Sequence, residues 1–235
     1  MTYTISDIHG EYDQFMTILE KIHFSDSDTL YVLGDVVDRG EHPIKVLQYM
    51  MGKSNIVPIC GNHEVMALTN LRLLMNELTE DFLDNLSLEK FWQLADWIQN
   101  GSESTIKEFA GLSMEEKQDI LEYLGEFLAY EEISVGDRKY LLVHAGIADF
   151  SPERPLWDYE IDDFVWQRTD YKVPYYNDVS TITGHTPTQT IVENQRPGYI
   201  FRANNHIAID CGAFYKEGRL AAICLDTNEE FYSKI

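Results

Sequence analysis

The chain has 235 residues, of which 44% are hydrophobic and 12% aromatic, enough for a real core in one large domain or two small ones. Against 40 acidic residues stand 18 Lys and Arg, a formal charge of −22. That balance excludes the basic footprint of a nucleic-acid binder and opposes attraction to anionic lipid headgroups.

The N-terminal "MTYTISDIHGEYDQF" has no basic region leading into an apolar run, and no stretch is long and apolar enough to span a membrane. The expected location is cytoplasmic. Three β-type runs open the chain, "TYTIS" (2–6), "TLYVL" (29–33) and "NIVPIC" (55–60). Between them Phe15, Ile18, Leu19 and Ile22 fall at helical spacing, and Ile44, Leu47 and Met51 line a second helix that Gly52 can end. This β-α-β-α-β order predicts parallel strands with right-handed crossovers.

From about 64 to 130 the period is helical, with stripes at Leu94, Ala95 and Ile98 and at Ile120, Leu121, Leu124 and Leu128. Ser113 with Glu116 forms a capping box. No Pro or Gly-rich linker follows, so the stretch is expected to be a helical cap inserted into a single domain spanning 1–235. Strands return with "EEISV", "KYLLVH", "TIT", "HIAID", "LAAICL" and "EFYS", joined in places by the turns Gly136-Asp137-Arg138 and Asp226-Thr227-Asn228. The expected fold class is α/β, a two-sheet sandwich flanked by helices. Cys60, Cys211 and Cys224 lie in apolar contexts without C-x-x-C spacing and are expected to be reduced core thiols. The sequon Asn85-Leu86-Ser87 is read as chance.

Polar motifs follow the strands. Asp7-Ile8-His9-Gly10 comes after the first, Gly34-Asp35 through Asp38-Arg39-Gly40 after the second, and Gly61-Asn62-His63-Glu64 after the third. Later strands run into His144-Ala145-Gly146, Gly184-His185 and Asp210-Cys211-Gly212. Ligands of open α/β sheets bind outside the carboxyl ends of strands, so these residues should meet at one edge. Carboxylate, imidazole and amide oxygen without thiolate suit Mn, Fe or Zn in an open geometry better than a structural zinc. The donors are too many for one ion. Two ions about 3.5–4 Å apart, bridged by a carboxylate and a hydroxide, would use them and supply a nucleophile for displacement at phosphorus.

Of these six motifs, which together span residues 7–212, the first five in this order, Asp7-x-His9-Gly10 through Gly184-His185, resemble the calcineurin-like metallophosphoesterases, in particular the phosphoprotein phosphatase (PPP) family. Trp97 with Asn100-Gly101 is similar to its bacterial and phage members, which include symmetrical diadenosine tetraphosphatases. The resemblance implies one divalent ion held by Asp7, His9 and Asp35, and a second sharing Asp35 and taking Asn62, His144 and His185. It implies His63 as general acid, Asp38 as the group that orients it, and Arg39 and Arg168 as phosphate clamps, with Asn62 and His63 also at the phosphate. Mn is the expected ion in vitro, with Fe and Zn accepted by the same donors. Ser6 stands where many members have Gly, and Ser102 where bacterial relatives often repeat Gly, which leaves the cap's contact with substrate open.

The expected activity is phosphomonoester hydrolysis by metal-bound hydroxide on phosphoserine or phosphothreonine proteins or small phosphate esters, by a monomer without nucleic-acid or membrane partners. The alternative is a dinucleoside polyphosphate hydrolase, and a third reading is a metal-stabilised binding module without turnover. The module has no use for His63, Asp38, Arg39 and Arg168 together. Asn62 can also be read as a cap for a helix from Glu64, Arg154 as a substitute clamp, and Asp210 as an acceptor behind a ligand histidine or a turn carboxylate. Tyr171, Tyr175 and Tyr176 can wall a substrate or pack over the sheet edge. His23 and His42 are expected to be solvated, and His206 has no assigned role.

Overall fold

The computed structural model describes residues 1–75 and 87–234. Residues 76–86 of the expected insert, and with them Asn85 and Leu86 of the sequon, lie outside the described residues. Strand β1 (Thr2–Ile5), helix α1 (Tyr12–Lys21), β2 (Thr29–Leu33), α2 (Pro43–Met51) and β3 (Ile56–Ile59) alternate as the pattern predicts, and the three strands pair in parallel. Helices α3 (Asn62–Leu74), α4 (Leu88–Gln99), α5 (Glu103–Ala110) and α6 (Met114–Gly125) come next. Then follow β4 (Tyr130–Val135), β5 (Arg138–Val143), a short 3₁₀ turn at Leu156–Asp158, α7 (Ile161–Val165), β6 (Val179–Thr183), β7 (Phe201–Ala203), β8 (His206–Ala208), β9 (Ala221–Cys224) and β10 (Glu230–Tyr232).

Among the described residues ten strands make two five-stranded mixed sheets, ordered β10-β9-β1-β2-β3 and β4-β5-β6-β8-β7. The last two strands return to the first sheet, with β9 antiparallel to β1. Side-chain alternation sorts the core into layers. Leu33, Ile59, Leu142, Ile182, Ile223 and Leu225 fill the space between the sheets. Ile5, Leu30, Val32, Ala222 and Cys224 face outward to α1, α2 and the helices after β3, while Leu141 and Val143 cover the second sheet's far side with Phe164 and Val165. The result is an α/β sandwich of two sheets flanked by helices, and every motif loop leaves the carboxyl end of a strand.

Three helical details depart from the pattern. Met51 is exposed and Val46 and Met50 are buried in its place, because Gly52 ends α2 with Met51 turned outward. In α4 the expected stripe of Leu94, Ala95 and Ile98 is not the buried one: Ile98 is exposed and Trp97 is fully buried. Leu128 lies beyond α6, where its backbone pairs with Pro58 and Cys60 beside β3, so its side chain stays 37% exposed. The box of Ser113 and Glu116 does cap α6, and all three cysteines are free and buried. Strand β7 was not anticipated; it is three residues long and antiparallel to β8. Among the described residues no helix is long and apolar enough to cross a membrane.

Phe15 is fully buried and packs edge-on against Tyr49, which ties α1 to α2 over the first sheet. Phe15→Ala removes that wedge and is expected to lower unfolding free energy by about 3–5 kcal/mol, read from the urea midpoint at unchanged slope.

Candidate metal centre and phosphate site

Backbone geometry brings the motif loops together. The loops after β1 and β2 are joined by N–H bonds from Asp7 to Gly34 O (3.0 Å), His9 to Asp35 O (2.8 Å) and Gly10 to Val36 O (2.9 Å). Asp7, His9, Asp35, Asp38, Arg39 and His185 all have left-handed backbones, with φ between 45° and 70°. Gly34 has φ +74°, and a Cβ there would meet Gly61 Cα and His144 Nδ1 at 2.7 Å, so only glycine lets the β2, β3 and β5 loops approach.

Glu64 holds this arrangement from behind. Its carboxylate accepts the N–H groups of Asp35 (2.7 Å), Val36 (2.8 Å), Val37 (3.2 Å) and Gly61 (2.9 Å). Burial and the nearby charge of Asp35 push its carboxyl up to about 7. Asn62 is therefore not the helix cap: α3 begins at Asn62 itself and Glu64 satisfies the preceding N–H, leaving the Asn62 amide for the site. Its Oδ1 lies 3.1 Å from His144 Nε2 and 3.0 Å from His185 Nδ1.

Asp35 is the centre. Ligand-capable atoms of His9, Asp35 and His63 lie within 4.8 Å of one another, and so do those of Asp35, His144 and His185. Asp7, expected in the first group, instead has its carboxylate on the His185 N–H at 3.0 and 3.2 Å. His9 Nδ1–H donates to Val37 O (3.0 Å) and His144 Nδ1–H to Leu33 O (2.7 Å), so each turns an Nε2 lone pair toward Asp35, at 3.5 and 3.4 Å. Burial lowers the pKa of both rings, and burial together with His144 brings His185 down to about 4, which keeps all three neutral and able to ligate. Burial, Asp210 and Asp35 push Asp7 well up. Carbonyl, carboxylate and imidazole acceptors thus converge in a buried space, which is the donor set of divalent cations.

The catalytic candidates stand beside this cluster. His63 Nδ1–H donates to Asp38 Oδ2 at 2.6 Å, with both side chains fully buried. Burial lowers the His63 pKa, but Asp35 and Asp38 outweigh it and the net shift is upward. The Arg39 guanidinium bonds His9 Nε2 (2.7 Å) and His63 Nε2 (2.9 Å) and lies over the Phe214 ring at 4.6 Å. Arg168 is exposed, its guanidinium makes no hydrogen bond to the described residues, and it lies close enough to lower the pKa of His185 and Asp210. The two arginines thus flank the cluster at its His9–His63 and His185 ends.

Other residues singled out in the sequence lie outside the cluster. Tyr171 is buried against Phe201 and His206, Tyr175 OH accepts the Ile147 N–H, and Tyr176 packs on Phe150. Arg154 stacks on Tyr159 at 3.7 Å rather than facing the site. His42 is exposed, as expected, and pairs with Glu108 at 3.0 Å. Asp210 accepts the Gly212 N–H as a turn carboxylate and is near enough to Asp7 to raise it. Sequence reasoning missed the anchor role of Glu64, the ring of Phe214 and the contact of Trp97 with Asp38. An acid at the third position of the helix after Gly61 is the signal for the first, and an aromatic just past the Asp210 turn for the second.

The calcineurin-like phosphoesterase family matches residues 2–208, and the chain belongs to that family. It is 30% identical over 163 residues to the symmetrical bis(5'-nucleosyl)-tetraphosphatase of Buchnera aphidicola subsp. Acyrthosiphon pisum (strain 5A), covering 68% of this chain and 47% of that protein. The chain spans about half the length of the curated relatives it matches. Its fold is similar to a structure provisionally described as a diadenosine tetraphosphatase (TM-score 0.65, 19% identity, 98% of this chain and 91% of the other). It is also similar to a protein serine/threonine phosphatase from Saccharomyces cerevisiae (TM-score 0.57, 12% identity, 98% and 79%).

Asp35 is the acid shared by both groups, so Asp35→Asn is expected to lower bound metal more than Asp7→Asn. Native mass spectrometry of both variants, each stripped and then titrated with Mn²⁺, checks the order; equal losses contradict a shared ligand.

Proposed function

We propose that this chain hydrolyses dinucleoside tetraphosphates at the central anhydride, water entering and two nucleoside diphosphates leaving. The 163-residue match to symmetrical tetraphosphatases carries this reading. The motifs alone put phosphoproteins first, since metal and arginine residues serve any phosphate ester; the relatives favour the dinucleotide. The grooves are compatible with a two-armed substrate. A cavity of about 420 Å³ runs from Arg168 past Thr186 and Thr190, with Ile191 and Tyr171 in its wall. Another, of about 530 Å³, runs from Arg39 past Lys107, Glu41 and Glu103.

Two divalent ions are proposed, one held by Asp7, His9 and Asp35 and the other by Asp35, Asn62, His144 and His185. When bound they supply Lewis-acid charge for the phosphoryl oxygens and lower the pKa of water. The chain's own groups do the rest. The planar forks of Arg39 and Arg168 hold the equatorial oxygens bidentately as charge spreads over them. With Arg39 turned to phosphate, His63 Nε2 is free to carry a proton to the departing oxygen, while Asp38 fixes the ring through Nδ1. Cytoplasmic location and monomeric state belong to the same proposal. Phosphoserine or phosphothreonine protein is the second reading, favoured by the three glutamates (Glu41, Glu103 and Glu108) along the Arg39 groove, which would suit a basic peptide better than a polyphosphate.

Chelator-stripped protein resupplied with Mn²⁺ is expected to turn over diadenosine tetraphosphate with kcat/KM about tenfold or more above a phosphoserine peptide. Peptide turnover without dinucleotide turnover overturns the proposal. His63→Asn should slow an alkyl phosphate far more than a nitrophenyl phosphate, whose leaving group needs little protonation; equal losses remove His63 as the acid.

A further inference from the structure

The helical segment after β3 reaches into the site at three points. Trp97, at the end of α4, is fully buried and donates its indole Nε1–H to Asp38 Oδ2 at 2.8 Å, the same oxygen that takes the His63 Nδ1–H. Thr105, on α5 and also fully buried, donates its hydroxyl to Asp38 Oδ1 at 2.6 Å and accepts the Asp38 N–H at 2.9 Å. Between the two helices Gly101 O accepts the Arg39 N–H at 2.7 Å. Gly101 has φ +95°, and a Cβ there would lie 3.0 Å from Arg39 Cγ.

Asp38 therefore has both carboxylate oxygens and its own N–H fixed by groups from α4 and α5. A carboxylate held by one imidazole alone can rotate about its last torsion and carry the ring with it. Fixed at both oxygens, it turns only as the two helices turn. A buried tryptophan fills a core by its shape and usually finds some hydrogen-bond partner for its N–H. Here the N–H ends on the carboxylate that holds the imidazole.

We infer that Trp97 and Thr105 are positioning residues: the helical segment after β3 orients the Asp38–His63 pair, and the aim of His63 Nε2 depends on it. The inference rests on the reading of His63 as proton donor. Neither Trp97 nor Thr105 hydrogen-bonds a proposed metal ligand, and no new substrate is assigned, since the pair acts on the leaving group of any phosphate ester. Trp97→Phe keeps the ring and removes the donor, Thr105→Val keeps the shape and removes the hydroxyl, and Thr105→Ser restores it.

The test is kcat against leaving-group basicity over a series of phosphates from nitrophenyl through phenyl to alkyl, on Mn²⁺-loaded protein. Trp97→Phe and Thr105→Val should steepen the dependence, with about a tenfold loss for the alkyl ester shrinking toward the nitrophenyl end, KM unchanged and bound metal unchanged; a positioned acid contributes roughly 10²- to 10⁴-fold in all. Thr105→Ser should restore the native slope. In metal-free protein the downfield proton resonance of His63 Nδ1–H, identified by its loss in His63→Asn, should move in both variants. A native slope in both variants overturns the inference, as does a uniform loss along the series. If His63→Asn itself leaves the slope native, the acid reading falls and this inference with it; if His63→Asn steepens it and neither variant does, only the positioning role falls.

Discussion

Glu64 anchors the backbone from which the rest of the site hangs. One buried carboxylate gathers four N–H groups, three from consecutive residues of the β2 loop and one from the turn before α3. Three successive donors aimed at one point force the chain into a concave nest, and that curl delivers Asp35, Asp38 and Arg39 to different sides of the centre. The same carboxylate replaces the cap that Asn62 would otherwise provide, which releases the Asn62 amide to face His144 and His185. A single interaction therefore sets the loop, starts the helix and frees a ligand.

The left-handed backbones follow from that constraint. For a residue with a Cβ such a conformation costs of order 1–3 kcal/mol and persists only where the surroundings over-determine it. Here the interlocking N–H bonds between the β1 and β2 loops do so, and the Gly40 N–H to His9 O (2.8 Å) closes the ring. The acceptors brought together in this way repel one another, as the upward shift of Asp7 by burial and by its two carboxylate neighbours records. Folding energy from the apolar layers holds the polar edge in a state it would not choose alone, one that a divalent cation would relieve.

Much of this was legible in the sequence because the strands are short, β-branched and each followed at once by a polar motif. Asp7, His9, Asp35, Asn62, His63, His144 and His185 are brought together because each sits just past a carboxyl strand end, a local property. What stayed hidden depended on distant partners. The buried face of α4 is set by Trp97 finding Asp38, 59 residues away, and apolar periodicity chose Ile98 instead. Nor does any spacing announce that Arg39 will lie on Phe214, or that β9 will insert beside β1. The tyrosines after Arg168 were ambiguous for the opposite reason, since an aromatic loop at a sheet edge reads the same whether it lines a substrate or packs.

The placing of β1 has a consequence for biosynthesis. Thr4 pairs with Tyr31 on one side and Ile223 on the other, so the strand that carries Asp7 and His9 is completed by residues made some two hundred positions later. Until β9 emerges from the ribosome, the β1–β2–β3 unit offers an open row of backbone N–H and C=O groups at Thr2–Ile5, next to an uncovered apolar face. Such long-range pairing is slow to close. β9 is the strand that closes that edge, so the frame carrying the first two motifs is complete only when the end of the chain has been made.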